Sequence, residues 1–244
     1  MMINLDKPLN FSAPEYIHNK FEVLDRIREE RPVHTAKIMV MKVHTVARYD
    51  DCTALLKDPR LLRNRTNATG GSRFPFPMPR SLKPLIESMI QEDDPNHRRL
   101  RNLVRHAFKP QAIKDIESSI DSYSNELLDG LETQNSFDLH HDYALKIPVR
   151  MIADMLGVER EDMPRFQNTF AVLTKGFSGF QFFRTLFFDL PKTIEFVRAL
   201  IDKKRKEPAD DILTGLIFAE DDGDRLTEDE LVGMVFLLIV AGYE

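Results

Sequence analysis

The chain has 244 residues, a net charge of −5 at neutral pH, and 42% hydrophobic and 30% charged residues. This is the composition of an ordinary globular protein with enough apolar residues for a sizeable core, and the acidic balance argues against general affinity for nucleic acid or anionic membranes. A single cysteine, Cys52, excludes an internal disulfide and favours a reducing compartment. Because the N-terminal residues lack the basic and apolar regions of a signal peptide, we expect a cytoplasmic protein without a membrane anchor.

Apolar residues recur at helical spacing along most of the chain, between Gly, Pro and Asp residues that end one segment and begin the next. We therefore predict one mainly α-helical domain, residues 1–244, with a small β-sheet. The sheet is expected from Val33–Ala47, where apolar and polar residues alternate as in a β-hairpin, and from a strand at Ser136–Leu139. The predicted helices are Ser12–Glu30, Asp51–Lys57, Leu82–Ile90, Pro95–Phe108, Pro110–Leu131, Tyr143–Leu156, Glu161–Thr174, Asp189–Lys206 and a short helix that starts with Asp210–Leu213.

Two irregular segments carry phenylalanine side chains. Glycine and proline residues exclude a long helix or strand over residues 60–80, and two glycines interrupt residues 176–188, which we interpret as a lid-like connection. In such loops the aromatic side chains either cover the core or line a ligand pocket. They include Phe74 and Phe76 in the first segment and Phe177 and Phe180 in the second.

The last segment, Arg225–Glu244, begins with a capping box formed by Thr227 and Glu230. Residues 234–241 are apolar on every face, so we expect a central helix that is buried on all sides. The run is too short to span a bilayer, which needs about 20 apolar residues. Because Gly inside a helix costs about 1 kcal/mol relative to Ala, Gly242 suggests that a bulky, flat group approaches its backbone.

A basic helix follows Asp94, the residue expected to cap it. His97 and Arg101 are one turn apart on the same face, at the edge of an apolar arc. Donors of these two kinds beside an apolar surface suit an amphiphilic anion with carboxylate ends, and a solvated basic face is the alternative. The same helix carries further cations, which serve either as a solvated face or as a docking site for an acidic partner. They are Arg98, Arg99, Arg105, His106 and Lys109.

Other chemical signatures are absent from the sequence. It contains no paired histidines at metal-binding spacing, no phosphate-binding glycine loop and no G-x-S-x-G nucleophile motif. Cys52 is expected to be a small core residue, as free cysteines usually are.

Three motifs resemble those of the soluble bacterial cytochromes P450. The sequence D-D-P-N-H-R-R-L-R from Asp93, followed by A-F-K-P, is similar to the family's D-P-P-E-H-x-x-L-R and A-F-x-P in the C helix. The sequence D-D-I-L from Asp210 resembles D-D-L-L at the start of the H helix. The final L-L-I-V-A-G-Y-E resembles the first half of the I-helix motif A-G-x-[D/E]-T-T. The resemblance covers the whole chain up to the middle of the I helix and implies a cytochrome P450-like helical fold, incomplete at the C-terminus.

The resemblance implies a heme b cofactor (iron protoporphyrin IX) and assigns roles by position. His97 and Arg101 are expected to bind the propionates, and Glu244 is expected to be the acid that relays protons to dioxygen. The remaining assignments are Phe108, Ala241 and Gly242 beside the macrocycle, and Phe74, Phe76, Phe177, Phe180 and Leu238 in an apolar substrate pocket.

The implied activity is that of a heme-thiolate monooxygenase that oxidises an apolar small molecule with O₂ and electrons from a ferredoxin- or flavodoxin-type donor. The family's thiolate cysteine loop and the E-x-x-R motif of its K helix, both of which follow the I helix, are absent from these residues, so we expect a fragment of somewhat more than half an enzyme, inactive alone. The alternative is a truncated, non-catalytic helical protein that binds a ligand or partner.

Overall fold

The computed structural model describes residues 4–38, 41–71, 79–108, 110–174 and 184–242. The chain divides into two compact units, residues 1–62 and 63–244, and each has its own hydrophobic core. Helices predominate and the sheets are small, which confirms the predicted fold class. None of the helices among these residues is long and apolar enough to cross a bilayer.

The first unit is a three-stranded sheet accompanied by short helices. Its elements are β1 (Leu9–Asn10), α1 (Pro14–His18), α2 (Lys20–Glu30), β2 (Val33–Ile38), β3 (Met41–Val46) and α3 (Tyr49–Leu56). Strand β2 lies in the centre, parallel to β1 and antiparallel to β3, with Ala36 opposite both Leu9 and Val43. The predicted hairpin is therefore confirmed. The long helix expected from Ser12 is instead two helices separated at Asn19, and Phe21 in the second of them is 72% exposed.

The second unit is built from helices. They are α4 (Arg65–Thr69), α5 (Lys83–Ile86), α6 (Asn96–Ala107), α7 (Pro110–Leu131), α8 (Lys146–Met155), α9 (Met163–Thr174), α10 (Leu190–Lys206), α11 (Ile212–Ile217) and α12 (Glu228–Ala241). A short hairpin, β4 (Glu220–Asp221) and β5 (Asp224–Arg225), connects the last two. Most of the predicted helix positions are confirmed to within a few residues, and the buried faces of α6 and of α8 to α12 meet in one core.

The strand predicted at Ser136–Leu139 is wrong. Leu139–Ala144 forms a π-helical turn that Asp138 caps at its N-terminus. The Asp138 carboxylate accepts hydrogen bonds from the backbone N–H groups of His140 and His141, each at 2.9 Å. This local cap satisfies the free donors at the start of a helical turn, and it outweighs the alternating apolar pattern.

Helix α12 is buried through its middle but not over its last turn. The capping box is present as predicted, with the Glu230 carboxylate accepting the Thr227 N–H at 2.8 Å. Residues 231–236 and Ile239 are buried, whereas Leu237 and Leu238 are half-buried and residues 240–242 are exposed. The expectation of burial on all sides therefore fails for the last turn, where apolar surface faces away from the core described here.

Candidate functional site

The entry to helix α6 differs from the predicted cap. The helix begins at Asn96 after a cis Asp94–Pro95 peptide, and the Asp94 side chain caps no backbone N–H. Its carboxylate instead lies 2.6 Å from Arg98 Nη2 and 3.6 Å from His97 Nδ1. The hydrogen bond from Arg98 lowers the pKa of Asp94, so the carboxylate stays ionised beside the helix.

The candidate anion-binding pair lies on the outer part of α6. Leu100, Leu103 and Ala107 form the buried face, His97 is half-buried beside it, and Arg101 is exposed. The expectation that Arg101 lies at the edge of the apolar arc is therefore wrong. Its position is about 120° from the centre of the buried face, at about 100° of rotation per residue. Within the described parts of the chain, Arg101 has no hydrogen bond or ion pair, so its donors are available to a ligand.

The end of α12 forms the second part of the candidate site. Leu238, Ala241 and Gly242 line a cavity of about 210 Å³ together with Ile152 and Met155 of α8. Gly242 is the C-terminal cap of α12, and a Cβ atom added there would lie 2.7 Å from Ile152 Cδ1. An aliphatic side chain therefore occupies the place where we expected a flat group. His97 and Arg101 are not among the residues that line this cavity.

The remaining predicted site residues are placed as follows. Phe108 is the half-buried C-terminal cap of α6 and packs against the core. Five others lie outside the described residues: Phe74, Phe76, Phe177, Phe180 and Glu244.

Asp93 anchors the segment that leads into the first phenylalanine loop, a role that the sequence reasoning missed. Its carboxylate accepts hydrogen bonds from the backbone N–H groups of Arg63 (2.7 Å) and Asn64 (3.1 Å) and from Asn67 Nδ2 (3.3 Å). Partial burial raises the pKa of Asp93, but these hydrogen bonds and the Arg63 charge outweigh it, and the pKa is lowered overall. Because Asp93 lies about thirty residues after the N–H groups that it binds, no pattern in the neighbouring sequence indicates this contact.

Most cations of the basic cluster on α6 have acidic partners in the same chain. Arg98 pairs with Asp94, as described above. Arg99 contacts Asp224 and Glu230, and His106 Nε2 lies 4.0 Å from Asp221 Oδ1. Arg105 is exposed, and Lys109 lies outside the described residues. The net positive potential of this face is therefore smaller than the sequence suggests.

Cys52, the single cysteine, belongs to the first unit. It is half-buried on α3, and its Sγ donates a hydrogen bond to the Val46 carbonyl at 3.3 Å. No group of three or more His, Cys, Asp or Glu side chains suited to a metal ion occurs among the residues that the structure describes.

The donor set fits the acid end of a heme better than its iron. Arg101 and the His97 ring offer N–H donors at adjacent turns of α6, which suits two carboxylates on a flat apolar body. Exposed Val240 and Ala241 add apolar surface at the end of α12. Cys52, the one cysteine of the sequence, lies in the first unit, where its Sγ donates a hydrogen bond to the Val46 carbonyl.

Comparisons with individual proteins identify the family, although no family model matches the chain. The chain is 33% identical over 235 residues to the polyketide biosynthesis cytochrome P450 PksS of Bacillus subtilis, covering 94% of this chain and 58% of PksS. It is also 33% identical over 239 residues to cytochrome P450 107B1 of Saccharopolyspora erythraea, covering 93% of this chain and 55% of that protein.

Solved structures agree with the sequence comparison. The PksS structure superposes with a TM-score of 0.83 at 33% identity, covering 95% of this chain and 57% of PksS. Myxobacterial cytochrome P450 CYP267B1, solved in complex with myristic acid, gives a TM-score of 0.79 at 30% identity over 96% of this chain and 59% of that protein. The chain thus spans somewhat more than half the length of the relatives that it matches. Its three motifs, its fold and these similarities together place it in the cytochrome P450 family.

Proposed function

We propose that these residues form the part of a heme-thiolate monooxygenase that binds the heme propionates and covers the oxygen side of the heme. The observation that carries the proposal is the pair His97 and Arg101, one turn apart on α6, with the Arg101 donors unengaged in the described structure. The bound heme would supply the activation of O₂, with electrons from a ferredoxin- or flavodoxin-type donor, for oxidation of an apolar substrate.

The chain's own residues take defined parts in this proposal. Arg101 and His97 donate hydrogen bonds to the two carboxylates and so fix the orientation of the cofactor. Phe108 supplies apolar contact beside the macrocycle. Ala241, at the exposed end of α12, is small enough to leave room for a diatomic ligand, and Gly242 would lie beside the macrocycle. Glu244 holds a proton for delivery toward that space.

The substrate is proposed to be an apolar small molecule. The name of PksS assigns that protein to polyketide biosynthesis, and CYP267B1 was solved with a fatty acid, myristic acid. By analogy, Leu238 and the phenylalanines in the two irregular loops would form the pocket walls. The phenylalanines concerned are Phe74, Phe76, Phe177 and Phe180.

The thiolate ligand is proposed to come from residues outside these 244, because the Cys52 thiol is engaged with Val46. This chain alone is then inactive as a monooxygenase. The assembled enzyme is proposed to be cytoplasmic and to need its redox partner.

Heme titration of the purified chain tests the proposal. We expect saturable binding of hemin, a Soret band without thiolate character, and a loss of affinity of about ten- to a hundredfold in Arg101→Ala, since a hydrogen bond to a charged group contributes about 1.5–3 kcal/mol. His97→Ala should weaken binding similarly. Arg98→Ala is the matched control, because Arg98 lies on the same helix with a side chain that is 75% exposed and paired with Asp94. Equal affinities in all four proteins would refute the assigned roles.

The alternative, a non-catalytic helical binding protein, makes a different prediction in the same titration. The engaged thiol of Cys52 is the observation that favours it, because no other cysteine exists in the chain. A chain that unfolds cooperatively and binds no hemin would support this alternative.

A further inference from the structure

Arg99 lies between the two proposed propionate ligands in sequence but on the other side of α6. At about 100° of rotation per residue, its side chain leaves the helix about 160° away from that of Arg101. The Arg99 side chain is 32% exposed, compared with 75% for its neighbour Arg98. Its surroundings are therefore those of a packed contact between elements.

The guanidinium of Arg99 uses all three of its nitrogen positions. Nε donates to Asn96 Oδ1 at 2.9 Å, Nη1 donates to Asp224 Oδ2 at 3.1 Å, and Nη2 donates to Glu230 Oε1. Partial burial acts to lower the pKa of Arg99, but the two carboxylates outweigh it and the pKa is raised overall. A lysine ammonium cannot reproduce this planar, forked arrangement.

The carboxylate on the other side of this contact is itself fixed in place. Glu230 Oε2 accepts the Thr227 N–H at 2.8 Å in the capping box, while Oε1 accepts Arg99. The preceding acid, Asp229, accepts a hydrogen bond from Arg198 of α10 at 2.6 Å. The start of α12 is thus held by its own cap and by α10, and it provides a firm anchor for α6.

We propose that Arg99 is a positioning residue, which fixes the rotation of α6 through Glu230 and Asp224 so that His97 and Arg101 face the cofactor. This inference rests on the proposed function, because it gives α6 the task of presenting those two side chains. Because the Arg99 guanidinium is paired with Asp224 and Glu230 of the same chain, Arg99 is not available to an acidic docking partner.

The first test measures the helix setting without heme. In a Cys52→Ser background, spin labels at Arg105→Cys on α6 and Val240→Cys on α12 report the distance between the two helices, and both positions are exposed. We expect Arg99→Lys and Arg99→Gln to shift or broaden the distance distribution, and Arg98→Gln to leave it unchanged. Unchanged distances in both Arg99 variants, or a wild-type distribution in Arg99→Lys, would overturn the inference.

The second test measures hemin affinity in the same chain without labels. We expect a loss of about tenfold in both Arg99 variants and less than about twofold in Arg98→Gln. If an Arg99 variant fails to fold, Glu230→Gln replaces it in the test. This substitution keeps an oxygen that can accept the Thr227 N–H but removes the charge, so it should reproduce the loss of hemin affinity. A shifted distance with unchanged hemin affinity would overturn the positioning role of Arg99, and the proposed function would still stand if Arg101→Ala weakened hemin binding. Absence of hemin binding in the wild type would refute the proposed function, and the distances would then decide only whether Arg99 fixes the rotation of α6.

Discussion

Gly157 should be among the least replaceable glycines of the second unit, because it makes room for a buried ion pair. Lys204 Nζ lies 2.6 Å from Asp211 Oδ2, and the two side chains are only 8% and 6% exposed. Asp211 also caps α11 by accepting the Thr214 N–H at 2.7 Å. Gly157 follows α8 with a φ of +61°, and a Cβ atom there would lie 2.2 Å from Asp211 Oδ2 and 2.3 Å from Lys204 Nζ.

The expected cost of Gly157→Ala has two parts. A left-handed conformation costs a residue with a Cβ atom about 1–2 kcal/mol, and separating a buried ion pair costs about 3–5 kcal/mol. Partial relaxation of the Lys204 chain reduces the second part, so we expect a total of about 3–5 kcal/mol. Gly223 is the matched control, because its φ is +82° and no atom lies within 4 Å of an added Cβ. Gly223→Ala should therefore cost only the first part, about 1–2 kcal/mol.

Urea unfolding followed by far-ultraviolet circular dichroism measures the difference in unfolding free energy between the two variants. The m value shows whether each variant exposes the same surface on unfolding as the wild type. Lys204→Met in the Gly157→Ala background completes a double-mutant cycle. If the alanine acts through the ion pair, the second substitution should cost less there than in the wild type. The reasoning would be refuted if Gly157→Ala destabilised the chain no more than Gly223→Ala, or if the two substitutions were additive.

Five further substitutions, two of them controls, test individual contacts by urea unfolding. Asp93→Asn should lower stability by about 1 kcal/mol at pH 7 through weaker acceptance of the loop N–H groups. Folding lowers the pKa of Asp93, so the stability difference between the wild type and Asp93→Asn is fully present above the unfolded pKa of about 4. It disappears as the pH falls through the folded pKa, where the urea midpoints of the two proteins should converge. Thr227→Ala should cost about 1 kcal/mol, and Thr227→Ser, which keeps the capping oxygen, should cost much less. Gly233→Ala should lower stability by about 1–3 kcal/mol, since the new Cβ would lie 2.7 Å from the Pro84 carbonyl oxygen. Gly130→Ala is the control: no atom lies within 4 Å of the added Cβ, so it should stabilise α7 by about 0.5–1 kcal/mol. A destabilised Gly130→Ala would contradict this difference.

Features specified by neighbouring residues were predicted well from the sequence. The capping box of Thr227 and Glu230 joins residues three apart, and the hairpin of residues 33–46 follows from alternation within one short segment. Helix α7 begins and ends at the predicted residues, Pro110 and Leu131. In each case the interactions that fix the element lie within the sequence segment that forms it.

Features that depend on distant residues were predicted poorly. The Arg99 contact with Glu230 spans 131 residues, and nothing near Arg99 distinguishes it from the exposed Arg98. Likewise, Asp93 rather than Asp94 has the structural role, because the N–H groups that it binds come from residues 63 and 64. Helical periodicity gives the direction of a side chain but not the partner that meets it there.

The two ends of α12 differ in how the rest of the chain holds them. Its first turn carries acids at the positive end of the helix dipole, and these acids pair with cations from other helices, so charge fixes this end before any cofactor is considered. Its middle is buried in the core. Its last turn, with Val240 and Ala241, is exposed and apolar, and it carries the residues that resemble the oxygen-binding motif. A helix anchored in this way can present its far end to a ligand without the ligand having to order it, which lowers the entropic cost of binding. The same reasoning applies to α6, where Arg99 holds one face and leaves His97 and Arg101 on the other.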